Sequence, residues 1–528
     1  MSEPVSTADP FYITTAISYP NGRPHIGHAY EAIAADAIAR FQRMQGRDVR
    51  FTTGTDEHGL KMVQTARGQD RDVQGLCDEM SFHFMVMCDK LNISYDRFVR
   101  TTEPAHHTAS VAIWEAMKAN GDLYLDRYEG WYSVRDEAYY EEKELTDGEG
   151  GTRLSPQGTP VEWTVEESWF FRLSNYQDRL LALYADQPDF IRPDSRRNEV
   201  IRFVEGGLRD LSVSRTSFDW GVKVPGSPDH VMYVWVDALT AYMTAVGYPD
   251  IDGDFARYWP ADLHLIGKDI VRFHTVYWPA FLMSAGLPLP KQVFGHGFLL
   301  ARDGAKMSKS AGNVVDPMAL AERYGVDALR YFFLREVSFG QDGTWSEEAI
   351  VTRCNAELAN SFGNLAQRVL SMIAKNLGGK LSADWSPTQT DLDLIHLVNQ
   401  ECRLELNRAF SDLAFSTGIE GWMRAVYACN QYVDTQAPWA LRKTDPARMI
   451  AVLNNLFMAI RTLAIAIWPV VPNAMTKLLD DMGIPQDERN YLALNDENWF
   501  HRRCQLVTQI APPTPIFPRL ELPVEDVA

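Results

Sequence analysis

Cysteine is scarce in this chain of 528 residues, with six in all. No two of them form a C-x-x-C pair, which is the usual signature of a redox centre or a zinc site. Between Asn92 and Asp229 cysteine is absent, and the only histidines there are the adjacent His106 and His107. We therefore expect free, mostly buried thiols in a reducing cytoplasm.

Long apolar runs and a secretory signal are also missing. The first ten residues, MSEPVSTADP, contain no basic segment followed by an apolar run. The stretch from Thr462 to Thr476 lacks ionisable residues, but it contains two prolines and is too short to span a bilayer. We expect a cytoplasmic protein without a membrane segment.

Basic residues are in deficit, since the formal net charge is −19. A protein that holds nucleic acid regardless of its sequence usually carries a basic excess, so any RNA must be bound through local basic surfaces. With 46% hydrophobic and 23% charged residues, the composition is that of a globular enzyme with about two to four domains. Composition alone favours an enzyme that acts on a small molecule.

Apolar patterns predict an α/β fold followed by helices. The run FYITTAISY predicts a buried strand, AYEAIAADAIARFQRMQG a helix that ends at Gly46, and DVRFTTGTDEHG a second strand, so that the three form a parallel βαβ unit. Parallel-sheet patterns return in HVMYVWVDALTAYM and DLHLIGKDIVRFHTVYWPAFLM. Asp316 and Pro317 are expected as the N-cap and first residue of a helix, and helical periodicity dominates from Cys354 onward.

These patterns divide the chain into six segments. One of them is rich in Tyr, Trp, Glu and Gly, which indicates an inserted domain of short strands and helices. We predict a first catalytic half at 1–117, this insertion at 118–229, a second catalytic half at 230–290, a linking module at 291–353, a helical domain at 354–510 and a Pro-rich, extended tail at 511–528.

Two histidines stand at the start of the first predicted helix, in the motif His25-Ile26-Gly27-His28. The loop lies at the carboxyl edge of a parallel sheet, where open α/β folds bind ligands, and the N-terminus of a helix favours phosphate. Gly27 lets the backbone approach a flat base, and both imidazoles can donate hydrogen bonds to phosphate oxygens as charge builds up on them. A histidine pair satisfied within its own loop is the alternative.

A second motif, KMSKS at residues 306–310, lies between Gly304 and Gly312. Its two lysines, Lys306 and Lys309, suit the neutralisation of a leaving pyrophosphate, because point charges must be present as the bond breaks. A solvated basic turn is the alternative. The position of this motif downstream of the histidine pair and after a second set of strands favours the catalytic interpretation.

HIGH and KMSKS are the two signatures of class I aminoacyl-tRNA synthetases, which this chain therefore resembles. The segments TTAISYPNGRPHIGH, GTDEHG, YVWVDALTAY, LIGKDIVRFHTVYWPA and NAELANSFGNLAQR resemble the methionyl-tRNA synthetase family in particular, and the likeness extends from Phe11 to about Arg519. It implies a Rossmann-type parallel-sheet catalytic domain split by a connective insertion, then a linking module and an α-helical anticodon-binding bundle.

The resemblance also implies a reaction and its ligands. L-methionine reacts with ATP, accompanied by Mg²⁺, to give methionyl-adenylate, and the methionyl group then passes to the 3′-terminal adenosine of initiator and elongator methionine tRNAs with the CAU anticodon. His25, His28, Lys306 and Lys309 are implied as catalytic. The implied ATP-binding residues are His25, Gly27, His28, Gly267, Asp269, Lys306, Ser308 and Lys309. By itself, the G-x-D pattern of the IGKD loop is more often a turn than a ligand site.

Residue types also support an amino-acid pocket. Asp56, after the second strand, can pair with a substrate ammonium, although a surface aspartate is the alternative. Aromatic rings pack well on a polarisable thioether, but such rings are common in cores, so the pocket depends on the resemblance. The resemblance places there Ala16, Ile17, Tyr19, Asp56, Trp235, Ala238, Tyr242, Ile270, Phe273, His274 and Trp278.

The insertion departs from many members of the family, which carry zinc knuckles there. Ser133 stands at one expected cysteine position. Structural zinc needs thiolate or imidazole ligands, so we expect no metal site and an insertion that is held by packing and hydrogen bonds.

In the helical domain, Asn364, Arg368 and Trp439 match the anticodon readers of the family. An Asn and an Arg at i and i+4 share one helix face and can bind base edges, while an indole stacks on an unpaired base. A buried Trp and a solvated Asn/Arg pair are the alternative.

Three other functions compete with this prediction. Class I synthetases for Leu, Ile and Val usually have a larger insertion, and the cysteine enzyme uses zinc ligands that are not found here. A non-catalytic tRNA-binding relative would be expected to lose one signature. A nucleotidylyltransferase has no use for a long helical domain. The chain carries no appended module after the helical domain, which favours a monomer.

Overall fold

The structure is a computed structural model that describes residues 8–136, 138–301, 304, 315–382, 386–496, 498–505, 510 and 512–523. Its first part is the predicted strand–helix–strand unit. The first helix ends two residues before Gly46, whose φ of +83° is a conformation that favours glycine. The elements of this part are β1 (Pro10–Thr15), α1 (Ile26–Met44), β2 (Asp48–Thr55), α2 (Leu60–Gly68), α3 (Val73–Lys90), β3 (Arg97–Arg100) and α4 (Pro104–Ala119).

The next segment is dominated by an antiparallel sheet. Its elements are β4 (Leu123–Ser133), β5 (Ala138–Tyr140), β6 (Thr146–Asp147), β7 (Arg153–Leu154), β8 (Pro160–Phe171), α5 (Gln177–Asp186), β9 (Ile191–Arg192), α6 (Asp194–Glu205), β10 (Leu211–Ser212), β11 (Ser214–Arg215), β12 (Lys223–Val224) and β13 (Ser227–Met232). The main sheet has the order β5-β4-β8-β7-β6, with β10 also paired to β8, and β11-β13-β12 form a second, smaller sheet.

The chain then returns to the catalytic region and continues into the linking segment. The elements are α7 (Val234–Thr244), α8 (Gly253–Tyr258), β14 (Leu263–Gly267), a π-helical turn (Phe273–Tyr277), α9 (Trp278–Ala285), β15 (Val293–His296), β16 (Leu299–Leu300), α10 (Pro317–Tyr324), α11 (Val326–Glu336), β17 (Gly343–Thr344) and α12 (Glu347–Arg353). Asp316 caps α10 as predicted, since its carboxylate accepts a hydrogen bond from the Met318 N–H at 2.8 Å.

Six parallel strands form the catalytic sheet, in the order β3-β2-β1-β14-β15-β9. Ile13 lies at its centre, opposite Phe51 on one side and Leu263 on the other. Chain order reverses between β1 and β14, so their carboxyl ends form the switch point at which open α/β sheets bind ligands. Strand β9 lies within the predicted insertion, which therefore also supplies an edge strand to this sheet.

Most of the remainder of the described chain is helical, which confirms the predicted fold class. A π-helical segment (Cys354–Gly363) leads into α13 (Asn364–Leu377), α14 (Gln389–Asn399), a second π-helical segment (Gln400–Glu405), α15 (Leu406–Ser411), α16 (Phe415–Gln436), α17 (Pro438–Thr444), α18 (Pro446–Ile467), α19 (Pro472–Asp481) and α20 (Trp499–Gln505). Among the described residues one helix, α18, is long and apolar enough to cross a membrane, but 83% of its apolar window is buried, as in a core helix of a bundle.

One apolar core extends from α1 into the helical domain. Phe41 on α1 packs against Phe410 and Tyr491, with ring centroids 5.5 and 5.6 Å apart. The six cysteines are free and only Cys504 is partly exposed, which confirms the expected buried thiols.

A buried ion pair joins α1 to α11, and its arginine also contacts the helical domain. Asp36 accepts hydrogen bonds from Arg40 at 2.7 Å and from Arg330 at 2.6 Å, and the Asp36 and Arg330 side chains are fully buried. Arg330 also donates to the carbonyls of Pro469 and Val470 at 2.9 and 3.0 Å. Burial alone would raise the pKa of Asp36, but the two arginines and hydrogen bonds from Ser94 lower it below its ordinary value.

One local prediction is wrong. The segment HVMYVWVDALTAYM was expected to belong to the parallel sheet, but its first residues end the antiparallel strand β13 and the rest forms α7. Only the Leu263–Gly267 part of the second expected segment is a parallel strand. A short run of aromatic, β-branched and alanine residues fits a buried strand and a buried helix equally well, so periodicity could not separate them.

Candidate active site

A cavity of about 470 Å³ opens at the carboxyl ends of β1, β14 and β15, beside the N-terminus of α1. We refer to it as the catalytic cavity. It receives side chains from both predicted catalytic halves. The predicted site residues that line it are Ala16, Ile17, Tyr19, His25, Gly27, His28, Asp56, Trp235, Gly267, Asp269, Ile270 and Phe273.

The histidine pair is built into the start of α1. His25 is the N-cap, and its Nδ1 accepts a hydrogen bond from the Gly27 N–H at 3.1 Å, while Nδ1 of His28 accepts from the His25 N–H at 3.1 Å. The rings stack with centroids 3.8 Å apart. Because each Nδ1 accepts, each ring proton lies on Nε2, where it is a donor for phosphate oxygens. A Cβ on residue 27 would lie 3.0 Å from Cε1 of His25, which favours glycine there.

An aromatic wall formed by Trp235 and Phe273 lines part of the cavity. Trp235, at the start of α7, stacks on Phe273 with centroids 3.8 Å apart and ring planes within 5°. Asp56 directly follows β2, is largely buried, and donates its backbone N–H to the Ser18 carbonyl at 2.9 Å. The cavity therefore offers a carboxylate and a flat apolar surface, which suit the two ends of an apolar amino acid.

Four of the predicted pocket residues lie behind this wall rather than on the cavity surface. Nδ1 of His274 donates to the Ile270 carbonyl at 3.0 Å, so its Nε2 accepts from the Tyr242 hydroxyl at 2.7 Å. Burial lowers the pKa of His274 to about 4, which keeps the imidazole neutral at neutral pH. Ala238 and Trp278 are buried beside them. Direct contact of these four with a ligand stays a prediction.

The residues predicted to bind the nucleotide ribose lie where β14 ends. Gly267 is its last residue, and Asp269 follows in a short 3₁₀ turn. A Cβ on residue 267 would lie 2.8 Å from Oδ1 of Asp269, so a larger side chain would displace that carboxylate. Both residues line the cavity as the motif predicts.

Several residues that line the cavity were not predicted from the sequence. Oε2 of Glu31 lies 2.8 Å from Nε2 of His296, whose Nδ1 lies 2.8 Å from the Gly297 carbonyl. Both partners accept, so both ring nitrogens donate. Burial alone would lower the pKa of His296, but the hydrogen bond and charge of Glu31 raise it. Arg135 and Gln157 reach the cavity from the insertion. The position of His296 at the end of β15 could have indicated its place in the cavity, because open parallel sheets bind ligands at the carboxyl ends of their strands.

The lysine motif falls outside the described residues, and with it Lys306, Ser308 and Lys309. The nearest described residue after the motif is Val315. Its carbonyl accepts the Ile26 N–H at 3.1 Å, so Val315 lies beside the histidine pair.

The turns that face each other across β4 and β8 are joined by hydroxyl groups. Oγ of Ser133 lies 2.7 Å from Oγ1 of Thr159 and accepts the Asp136 N–H at 3.2 Å. Ser155 donates to the Asp136 carboxylate at 2.6 Å. Ser133, Ser155 and Thr159 are buried. The described residues contain no group of three or more His, Cys, Asp or Glu side chains that could hold a metal ion.

The three predicted anticodon residues share one surface, which we call the Arg368 surface. Asn364 and Arg368 lie one turn apart on α13, and the Arg368 guanidinium lies 5.8 Å from the ring centre of Trp439 on α17. Arg368 also pairs with Asp434 at 2.9 Å. Trp439 is 51% exposed, which rules out the buried-core alternative.

Two family models match this chain. One describes class I tRNA synthetases of the methionine type and matches residues 11–370. The other describes the anticodon-binding domain of methionyl-tRNA ligases and matches residues 386–520.

Relatives and solved structures agree with these matches. A methionine–tRNA ligase of Mesorhizobium japonicum is 56% identical over 96% of this chain and 97% of its own length, and one of Brucella suis is 55% identical over 96% and 98%. Methionyl-tRNA synthetase of Mycobacterium tuberculosis, in complex with methionyl-adenylate, superposes with a TM-score of 0.93 at 53% identity, covering 97% of this chain and 100% of that one. The chain therefore belongs to the methionyl-tRNA synthetase family.

Proposed function

We propose that the chain is a methionine–tRNA ligase. It activates L-methionine with ATP to methionyl-adenylate and transfers the methionyl group to the 3′-terminal adenosine of initiator and elongator methionine tRNAs. The observation that carries the proposal is a single cavity that is lined by the His25/His28 donors, by Asp56 and by the Trp235–Phe273 wall. The similar Mycobacterium tuberculosis enzyme, whose structure holds methionyl-adenylate, supports it.

Methionine is oriented by its two ends. Asp56 accepts from the ammonium, so a free amino acid is required, and Ile17, Tyr19 and Ile270 complete the apolar surface around the thioether with the Trp235–Phe273 wall. We retain the predicted Ala238, Tyr242, His274 and Trp278 as the pocket layer behind that wall, together with Ala16 at its rim. This placement leaves the carboxylate to attack the α-phosphate in line, with pyrophosphate as the leaving group.

The protein contributes position and charge to this step rather than covalent chemistry. Nε2–H groups of His25 and His28 donate to phosphate oxygens, and Gly267 with Asp269 binds the ribose. Lys306, Ser308 and Lys309 meet the leaving pyrophosphate. Each such contact is worth most if it strengthens in the transition state.

Mg²⁺ enters with the nucleotide in this proposal. Magnesium in such sites is held by one or two carboxylates and by substrate phosphates rather than by a protein cage. Glu31 and Asp269 are carboxylates of the cavity that fit this role. Held in that way, such an ion would supply positive charge to the phosphates.

The second step needs the tRNA, which the helical domain identifies. Asn364 and Arg368 bind base edges of the CAU anticodon and Trp439 stacks on an unpaired base. We propose that the enzyme works in the cytoplasm as a monomer, without structural zinc, with domain limits at 117, 229, 290, 353 and 510 as the sequence predicts.

ATP–pyrophosphate exchange measured with each of the twenty amino acids tests the proposal. We expect methionine to support exchange and the others to lie far behind. Faster exchange with cysteine, leucine or isoleucine would reject methionine while leaving the class of enzyme intact. Absence of exchange with every amino acid would reject the catalytic function.

A further inference from the structure

The loop that carries Asp56 is anchored by the two residues after it. Glu57 is fully buried, and its carboxylate accepts from Arg100 Nε at 2.6 Å and from Ser81 at 2.5 Å. Its N–H donates to Thr101 Oγ1 at 2.9 Å. Glu57 thus fixes the loop to the elements on its own side of the sheet, namely α3 and the end of β3.

His58 fixes the same loop to the opposite side. Its Nδ1 lies 2.6 Å from Oδ2 of Asp237 on α7, and the Asp237 side chain is fully buried. Oδ1 of Asp237 lies 2.6 Å from Nε2 of His106 on α4, and Nδ1 of His106 lies 3.0 Å from Oγ1 of Thr244. Asp237 is therefore the point at which α4, α7 and the Asp56 loop are joined.

The two histidines favour the ionised form of the Asp237 carboxyl group. Burial alone would raise the pKa of Asp237, but the charge of His58 and the hydrogen bonds from both histidines lower it below its ordinary value. A buried carboxylate is costly unless it is paired, and apolar contacts would hold α7 equally well. What the pair adds is a directional contact between one turn of α7 and one loop.

That contact connects the two ends of the methionine site. Asp56 lies two residues before His58, and Trp235 lies two residues before Asp237. Asp56 and Trp235 line the catalytic cavity, whereas His58 and Asp237 are buried outside its described lining.

We propose that the His58–Asp237 pair is a positioning device for amino-acid recognition. It holds the ammonium-binding Asp56 in register with the Trp235 ring, so that the site accepts an amino acid with a side chain of methionine's length. This inference rests on the proposed function. It assigns His58 and Asp237 a role through Asp56 and Trp235, not through contact with the substrate.

Two alanine variants give a matched test, because each removes one histidine from the same carboxylate. Only His58 belongs to the Asp56 loop. For His58→Ala we expect the KM for methionine in ATP–pyrophosphate exchange to rise about tenfold, the scale of one charge-assisted hydrogen bond, with the KM for ATP within about twofold of wild type. For His106→Ala we expect both KM values to stay within about threefold.

His58→Asn is the conservative variant. Its side-chain amide can donate from near the position of Nδ1, so most of the methionine KM should recover. Equal changes in His58→Ala and His106→Ala, or equal changes in the methionine and ATP constants, would overturn the proposal. The proposal would also be overturned if the KM for methionine were as high in His58→Asn as in His58→Ala.

If His58→Ala does not fold, Asp237→Asn preserves the shape of the cluster and carries the test, with Thr244→Val as its control. A raised methionine KM in Asp237→Asn alone supports the pair, and an unchanged value overturns it. Wild-type enzyme in the same assay distinguishes failure of the proposed function from failure of this inference. Exchange that does not depend on methionine there contradicts the proposed function, whereas wild-type exchange with unaffected variants contradicts only this inference.

Discussion

The catalytic cavity and the Arg368 surface are built in opposite ways. The cavity is assembled from loops at strand ends, and its side chains also cap a helix, as His25 and His28 do, or pair with one another, as Glu31 and His296 do. The Arg368 surface consists of exposed and partly exposed side chains on two helices. Residues of the cavity therefore serve structure and chemistry together, while those of the surface can be changed with little effect on the fold.

The largest effect is expected at the buried Asp36–Arg330 pair, which joins the α/β part of the chain to the helical domain. In Arg330→Met the buried Asp36 loses its main counter-charge and the Pro469 and Val470 carbonyls lose a donor. Breaking a buried pair in this way costs roughly 3–5 kcal/mol of unfolding free energy. Denaturant unfolding monitored by circular dichroism measures it.

A matched control is Arg424→Met, which breaks an ion pair with Glu401 whose arginine is more than half exposed. Exposed pairs contribute about 0–1 kcal/mol. If both variants lost the same stability, burial would not be the reason that the Asp36–Arg330 pair stabilises the fold.

The second largest effect is expected on the rate of adenylate formation. If Lys309 meets the leaving pyrophosphate in the transition state, Lys309→Ala should raise the barrier to adenylate formation by roughly 2–4 kcal/mol, the scale for one preorganised charge contact. Methionine binding, measured separately by equilibrium titration, should change much less. Lys443→Ala, on the exposed face of α17, is the control and should leave exchange unchanged. Exchange within a few-fold of wild type in Lys309→Ala would contradict the role.

Trp439→Ala tests the Arg368 surface, where a smaller effect is expected. Loss of one stacking platform costs roughly 1–3 kcal/mol in RNA binding. We expect a higher KM for tRNA in aminoacylation and unchanged methionine-dependent exchange without tRNA, because no anticodon takes part in that step.

Since Trp439 is half exposed, circular dichroism should show a folded variant of near wild-type stability. Tyr427→Ala removes a similarly exposed ring from the same domain and should charge tRNA normally. Normal charging by Trp439→Ala would leave the Trp as a surface residue with no part in recognition.

Local signals were enough to predict part of the fold and site. The histidine pair could be located because a strand, a short loop and a helix follow one another directly, and Asp316 because its capping role depends on the next two residues. The family resemblance, rather than the local pattern, assigned Asp56 and Asp269 to one site, and both line the same cavity.

Features that depend on packing between distant segments could not be predicted. The ring pattern around α7 did not distinguish Trp235, which faces the cavity, from Tyr242, which lies behind it. The Glu31–His296 pair joins residues 265 positions apart, and Arg135 reaches the cavity only because the insertion folds over it. In each case tertiary packing, rather than local preference, decides the placement.

The smallest effect is expected at the rim of the cavity, where the insertion was expected to fold without zinc. Hydroxyl groups of Ser133, Ser155 and Thr159 and the Asp136 carboxylate occupy the facing turns and satisfy one another. Neutral hydroxyls are poor ligands for structural zinc, which prefers thiolate or imidazole. Treatment with a chelator, followed by restored magnesium, should therefore leave exchange and thermal unfolding unchanged, and elemental analysis should find no stoichiometric zinc. One tightly held zinc per chain, with activity lost on its removal, would mean that the insertion is not held by these hydrogen bonds and that the cavity's rim depends on metal after all.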